Sequence, residues 1–121
     1  MRSLDILLIH QGFPGQFKHL VPKLQAQGHR LTLISKRKPA SLIPTGLHHF
    51  SYSIQRTNAP GVHDLALELE SKVIRGEAVA KQANLLLNQG YLPDLILGHP
   101  GWGEMLFLSD INKTSHFRNI L

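Results

Sequence analysis

The feature that most constrains this chain is a set of short, uninterrupted apolar blocks, each closed off by polar or turn-forming residues. Ile6, Leu7, Leu8 and Ile9 stand between Asp5 and His10 with no polar position among them. That is the pattern of a strand buried on both faces of a parallel sheet, since a strand with one wet face would alternate. Leu31, Thr32, Leu33 and Ile34 form a second such block, and Leu95, Ile96 and Leu97 a third, reached just after Pro93. A sheet built this way must be covered by helices on both sides.

The segments between the blocks can supply those helices. Phe17, Leu20, Val21 and Leu24 recur at spacings of three, four and seven, one helical face, with Gly28 as the stop. Pro22 interrupts that pattern, so the helix is either kinked there or starts late. Strand, helix and strand together occupy about thirty residues, the length of a βαβ unit. Residues 36–46 hold Pro39, Pro44, Gly46 and a basic run and read as a loop, and residues 48–54 as a third strand. After the turn chemistry of Asn58, Pro60 and Gly61, residues 63–88 lack proline and carry Leu65, Leu69, Val73, Ala80, Ala83 and Leu87 as a helical stripe. They form one long helix, or two broken at Gly76. Gly90 ends it, and residues 104–108 open another helix. The expected fold is α/β, a Rossmann-like, mostly parallel sheet with helices on both faces, filling residues 1–111. Residues 112–121 are expected to be an atypical polar tail.

Composition narrows the chemistry. There is no cysteine, which removes disulfides and thiolate metal sites. No His-Glu-x-x-His or similar spacing occurs, so no metal site and no cofactor are expected. The four-residue apolar run at the start is far below the roughly 20 residues a membrane crossing needs, and it lacks the flanks of a secretory signal. A cytoplasmic protein is the default expectation. The net charge of +5 permits attraction to phosphates, and so peripheral membrane contact, but only Lys36, Arg37 and Lys38 are clustered. Without aromatic residues interleaved among basic ones, nucleic acid is not an expected partner.

In sheets of this kind ligands bind beyond the carboxyl ends of the strands, where strand order reverses. The loops after the first and last apolar blocks therefore hold the candidate site. His10, Gln11, Gly12, Gly15 and Gln16 join the first strand to its helix, and free backbone N–H groups there suit an anion. The G-x-x-G spacing is neither the dinucleotide nor the Walker pattern, and a plain tight turn would look the same. The second loop offers His99, Gly101, Trp102, Gly103 and Glu104. The indole can stack on the apolar face of a sugar or base, and the imidazole can exchange protons near neutral pH. Each also has a structural reading: Trp102 as a core plug, Glu104 as a first-turn acid facing a helix dipole. Without a G-x-S-x-G elbow, covalent hydrolase chemistry is not indicated.

With both loops in view, residues 6–15, 20–34 and 93–108 resemble the N-terminal half of a GT-B fold glycosyltransferase of the large retaining family 4. The run Pro93, Asp94, Leu95, Ile96, Leu97, Gly98, His99 resembles that family's strand ending in a histidine at the active-site cleft. The resemblance implies a nucleotide-diphosphate sugar donor, an acceptor bound chiefly by this domain, and a C-terminal domain that grips the donor. It would put Gly15 near the donor diphosphate and His99 at the transferred sugar. The family's E-x7-E signature has no counterpart among the glutamates here.

The polar run from Asn112 to His116 stands where further elements would complete the sheet, as expected of a truncated form, a split gene product or a fragment. Such a domain is expected to be inactive alone, and its uncovered apolar surface would favour a homodimer. The competing reading is a free-standing, non-catalytic Rossmann-like domain that binds a phosphate-bearing ligand or a protein partner.

Overall fold

The structure is a computed structural model, and it describes residues 3–11, 17–36, 46–54, 56–99 and 103–108, with the backbone alone of 116–119. Five strands, β1 (Asp5–Ile9), β2 (Arg30–Ser35), β3 (Leu47–Ser51), β4 (Leu95–Gly98) and β5 (His116–Asn119), form one sheet in the order β3-β2-β1-β4-β5. Every neighbouring pair is parallel. The chain steps outward from β1 to β2 and β3, then crosses back to place β4 on the other side of β1. Strand order therefore reverses between β1 and β4, the doubly wound Rossmann-like arrangement.

The unbroken apolar run of β1 is explained by what covers it. Ile6 and Leu8 face a cluster with Phe17, Val21, Leu31 and Leu33, on the side of helix α1 (Leu20–Ala26). Leu7 and Ile9 face the opposite cluster, with Ile34, Ile96, Val79, Ala83 and Leu86, on the side of helix α2 (Asp64–Asn88). All four apolar β1 side chains, Ile6 to Ile9, are at most 2% exposed. The amino ends of the strands are tied by polar contacts. Arg30 donates from Nε and a terminal nitrogen to the two oxygens of Asp5 at 2.6 and 2.9 Å, and the Asp5 N–H donates to Asp94 Oδ2 at 2.8 Å.

Of the two alternatives for Pro22, the late start holds. Helix α1 begins at Leu20, so Pro22 is its third residue, in the turn whose N–H groups have no partner inside the helix. Gly28, with φ of +87°, closes it, and its N–H donates to the carbonyl of Gln25. Helix α2 is continuous through Gly76. Its buried face is Ile74, Gly76, Val79, Ala83 and Leu86, displaced from the expected stripe. Leu65 and Leu69 are 88% and 64% exposed, because none of the helix's first ten residues is buried in the core.

Two further expectations are corrected. Residues 104–107 are turns, and helix is first assigned at Leu108, so the helix expected over 104–108 starts at the end of that span. His116–Asn119, expected within a polar tail, pairs along β4 from Leu95↔His116 to Gly98↔Asn119 as a fifth strand. Backbone pairing to an existing edge does not require an apolar sequence, which is why composition did not mark it.

Candidate functional site

The register Ile9↔Gly98 brings the carboxyl ends of β1 and β4 side by side, and His10 and His99 each follow that pair by one residue. The two histidines thus stand at the point where strand order reverses. His10 continues the backbone ladder, donating its N–H to Ile34 at 3.0 Å, and its ring meets Phe17 edge-on at 5.5 Å. It is 5% exposed, packed beneath the rim on the α1 side. His99 is half-buried at the rim itself.

Gln11 is the next residue, and its carbonyl accepts the N–H of Lys36 at 3.2 Å, joining the ends of β1 and β2. An open cavity of about 570 Å³ lies at these carboxyl ends, lined by Gln11, Lys36, Tyr52, Ser53 and Ile54. Among the described residues it combines one cation, an amide and the hydroxyl-bearing side chains of Tyr52 and Ser53 with the apolar Ile54. A second cavity, of about 520 Å³, reaches Asp5, His29 and Arg30 at the amino ends of the strands, away from the reversal point. Gly12, Gly15, Gln16, Gly101 and Trp102 lie outside the described residues.

Glu104 is placed differently from a solvent-facing first-turn acid. It is 2% exposed, and its Oε2 accepts the Tyr52 hydroxyl at 3.0 Å. Its Oε1 is also buried and, among the described residues, has no hydrogen-bond partner. Burial pushes its carboxyl above the ordinary carboxylate range, opposed by hydrogen bonds, including the one from Tyr52, and by the charges of Arg75 and His99. The same burial, together with Glu104, drives the Tyr52 phenol upward. Gly103 explains how the carboxylate reaches this depth. With φ of +96°, its Cα sits against the backbone of Lys72 on α2, where a side chain would have no room.

Tyr52 and Arg75 were not singled out by sequence. Tyr52 follows an edge strand and Arg75 lies within a long helix, and only the fold brings them to Glu104. Three of the other described histidines, His29, His49 and His63, take structural contacts. His29 Nδ1 accepts the Leu4 N–H at 3.1 Å, and His63 Nδ1 caps α2 by accepting the Leu65 N–H at 3.1 Å. His49 Nε2 lies 2.6 Å from the hydroxyl of fully buried Ser35. His48 is exposed while His49 is half-buried, so the adjacent pair does not act as one chelator. Among the described residues no three His, Asp or Glu side chains form a group able to hold a metal ion. No helix of the described residues is long and apolar enough to cross a membrane.

Sheet order, parallel pairing and helices on both faces define a Rossmann-like α/β domain, with its crevice between β1 and β4. A family model described as glycosyl transferase family 4 group matches residues 27–117, and the chain belongs to that family. The matched span contains His99, Gly103 and Glu104, while His10 and Gln11 precede it. No curated protein matched the chain. A crystal structure of the C-terminal domain of a Pyrococcus furiosus hydrogenase is similar in fold, with a TM-score of 0.62 at 14% identity, covering 100% of this chain and 95% of that one.

Proposed function

We propose that the chain is the acceptor-side domain of a nucleotide-sugar-dependent glycosyltransferase of the GT-B kind, and that transfer requires a second, donor-binding domain. The observation that carries this reading is the position of His99. It stands one residue beyond β4 at the reversal of strand order, in a chain of the glycosyltransferase family. An imidazole there can exchange a proton with an attacking hydroxyl or a leaving oxygen. The cavity beside Gln11, Lys36 and Tyr52 is of a size for a small polar acceptor group. On this reading Gly15 contributes to binding of the donor diphosphate, and Gly12, Gln16, Gly101 and Trp102 to substrate binding, all of them outside the described residues. A lone half-cleft leaves the transition-state charge largely unsolvated by fixed dipoles, so the isolated chain is inactive.

The test is complementation. The chain is mixed with donor-binding domains of the family and supplied with nucleotide-diphosphate sugars and a panel of saccharide and lipid acceptors, and transfer is followed by mass spectrometry. Sugar transfer that falls at least a hundredfold in His99→Ala supports the reading. Transfer that is indifferent to His99→Ala, or absent with every complementing domain, defeats it. The exposed Lys36 in the cavity favours a second reading, a binding module for phosphate-bearing ligands. Calorimetric titration of sugar phosphates into the isolated chain separates the two, because tight binding without transfer belongs to the module alone.

A further inference from the structure

We infer that the acceptor is amphiphilic, with its polar head in the cavity at the carboxyl ends of the strands and an alkyl tail laid along α2 beside Leu69 and Val73. This names the substrate class of the proposed site, and it rests on that cavity's holding the acceptor.

The overhang of α2 points to it first. The strands are parallel and α2 leads from the end of β3 to the start of β4, so it runs back against them. Its carboxyl end lies at the amino ends of the strands, where Gln89 and Gly90 line a cavity with Asp5 and Arg30. Its first ten residues, none of them buried, therefore extend roughly 15 Å beyond the core on the side of the candidate site. That stretch carries Leu65 and Leu69, 88% and 64% exposed. Neighbouring exposed leucines on one helix face mark a binding surface.

A cleft with two built walls lies beside them. Residues 56–59 are fastened to α2, where Arg56 donates from one terminal nitrogen to both Glu77 oxygens at 2.9 and 3.0 Å. Glu70 Oε1 accepts Asn58 Nδ2 at 2.8 Å and the Ala59 N–H at 3.0 Å. Between these walls opens a cleft of about 420 Å³, whose apolar lining is Val62, Ala66, Leu69, Val73 and Ile74. Both of its carboxylates are engaged by the opposite wall, so the surface it offers a ligand is chiefly hydrocarbon.

The cleft is also continuous with the candidate site. A smaller cavity of about 270 Å³ shares Arg56, Ile74 and Glu77 with it, and shares Ser53 with the cavity of Gln11, Lys36 and Tyr52. A track thus leads from a polar pocket, past Ser53 and the paired charges of Arg56 and Glu77, to an apolar cleft. The cleft has the volume of a small-molecule site, whereas a partner's helix, about 10–12 Å across, needs a broad face. A single alkyl chain attached to a polar head matches this order of surfaces.

The experiment titrates the whole chain with hexyl, octyl and decyl glucoside, each below its micelle-forming concentration, and follows backbone and methyl NMR signals. Signals of Lys36 and Ser53 at the head and of Leu69 and Val73 at the tail are expected to share one midpoint. Affinity should rise about tenfold from hexyl to octyl. Leu69→Gln should remove most of that gain, and Leu92→Gln, at an exposed leucine outside the cleft, none of it. Affinity independent of tail length overturns the inference, as does a gain that Leu69→Gln leaves intact. A response at Leu69 and Val73 without one at Lys36 and Ser53 also overturns it, because the cleft is then a separate apolar surface. Sedimentation covers the remaining case: a dimer dispersed by Leu69→Gln, with no tail-length gain, assigns these leucines to a second copy of the chain. Tail-length gain without transfer by any complemented protein tells against the transferase reading alone. Transfer that is indifferent to the acceptor's tail tells against the tail alone.

Discussion

A Cβ placed on Gly76 would stand 2.7 Å from the carbonyl oxygen of Gly103, so the middle of α2 and the turn after β4 meet backbone to backbone. Contact this close joins two segments 27 positions apart in sequence and sets the depth of Glu104. Gly76→Ala must push the turn outward, because the opposing atom is backbone and cannot rotate away. Overpacking of this kind costs about 1–3 kcal/mol. Urea denaturation should show that loss despite the better helix propensity of alanine, and an alanine variant as stable as the wild type would refute the close approach.

Tyr52→Phe removes the side-chain donor that Glu104 has among the described residues while leaving the apolar ring in place. The buried carboxylate then lacks its phenol partner, a loss of about 1–3 kcal/mol. Because the Tyr52 hydrogen bond is among the influences that lower the Glu104 carboxyl, its removal should move that group further up. The measurement is paired: a denaturant midpoint at pH 7 and the Glu104 carboxyl titration. A variant that loses neither stability nor the wild-type titration would show the hydrogen bond to be of no consequence.

The two halves of α2 should respond differently to truncation. Leu86 is buried against the β1 and β4 side chains, so Leu86→Ala is expected to cost about 2–5 kcal/mol. Leu65 and Leu69 overhang the core, and Leu65→Gln with Leu69→Gln should change stability by no more than about 0.5 kcal/mol each. Equal losses from both halves in thermal melts would mean that the amino-terminal turns are covered in solution.

The doubly wound fold was legible because burial on both faces writes itself into sequence as unbroken apolar strands, and Ile6 to Ile9 is such a run. His99 was legible for a related reason, since a polar residue directly after a buried strand must emerge at its carboxyl end. The rest depends on contacts distant in sequence. Tyr52 and Glu104 are 52 positions apart, and nothing local distinguishes Tyr52 from any aromatic residue at a sheet edge. Gly76 left one long helix and two shorter ones both open, because its actual cause, the approach of Gly103, lies in another segment. The stripe on α2 was misplaced for want of knowing where the sheet beneath it ends. His116–Asn119 joined the sheet through backbone pairing, which polar side chains do not announce.

Stability against pH should carry two slopes of opposite sign, traceable to named groups. His49 is held below its ordinary value near 6.5 by burial, so the unfolded chain binds the proton more readily. Its contribution is whole above pH 6.5 and is lost as pH falls from there through the folded value. Asp5 behaves alike at lower pH. Its hydrogen bond from Arg30 holds it below 3.8, so its contribution is present above that value and lost as pH falls through the folded one. Glu104 runs the other way. Its carboxyl is raised above 4.5, the folded protein holds the proton longer, and stability falls as pH rises from 4.5 through the folded value. Glu104→Gln should therefore abolish only the falling limb above pH 4.5, and His49→Gln only the loss just below pH 6.5. Denaturant midpoints taken at half-unit steps from pH 3 to 8 check both, and a Glu104→Gln profile parallel to the wild type throughout would mean that the carboxyl titrates as it does in the unfolded chain.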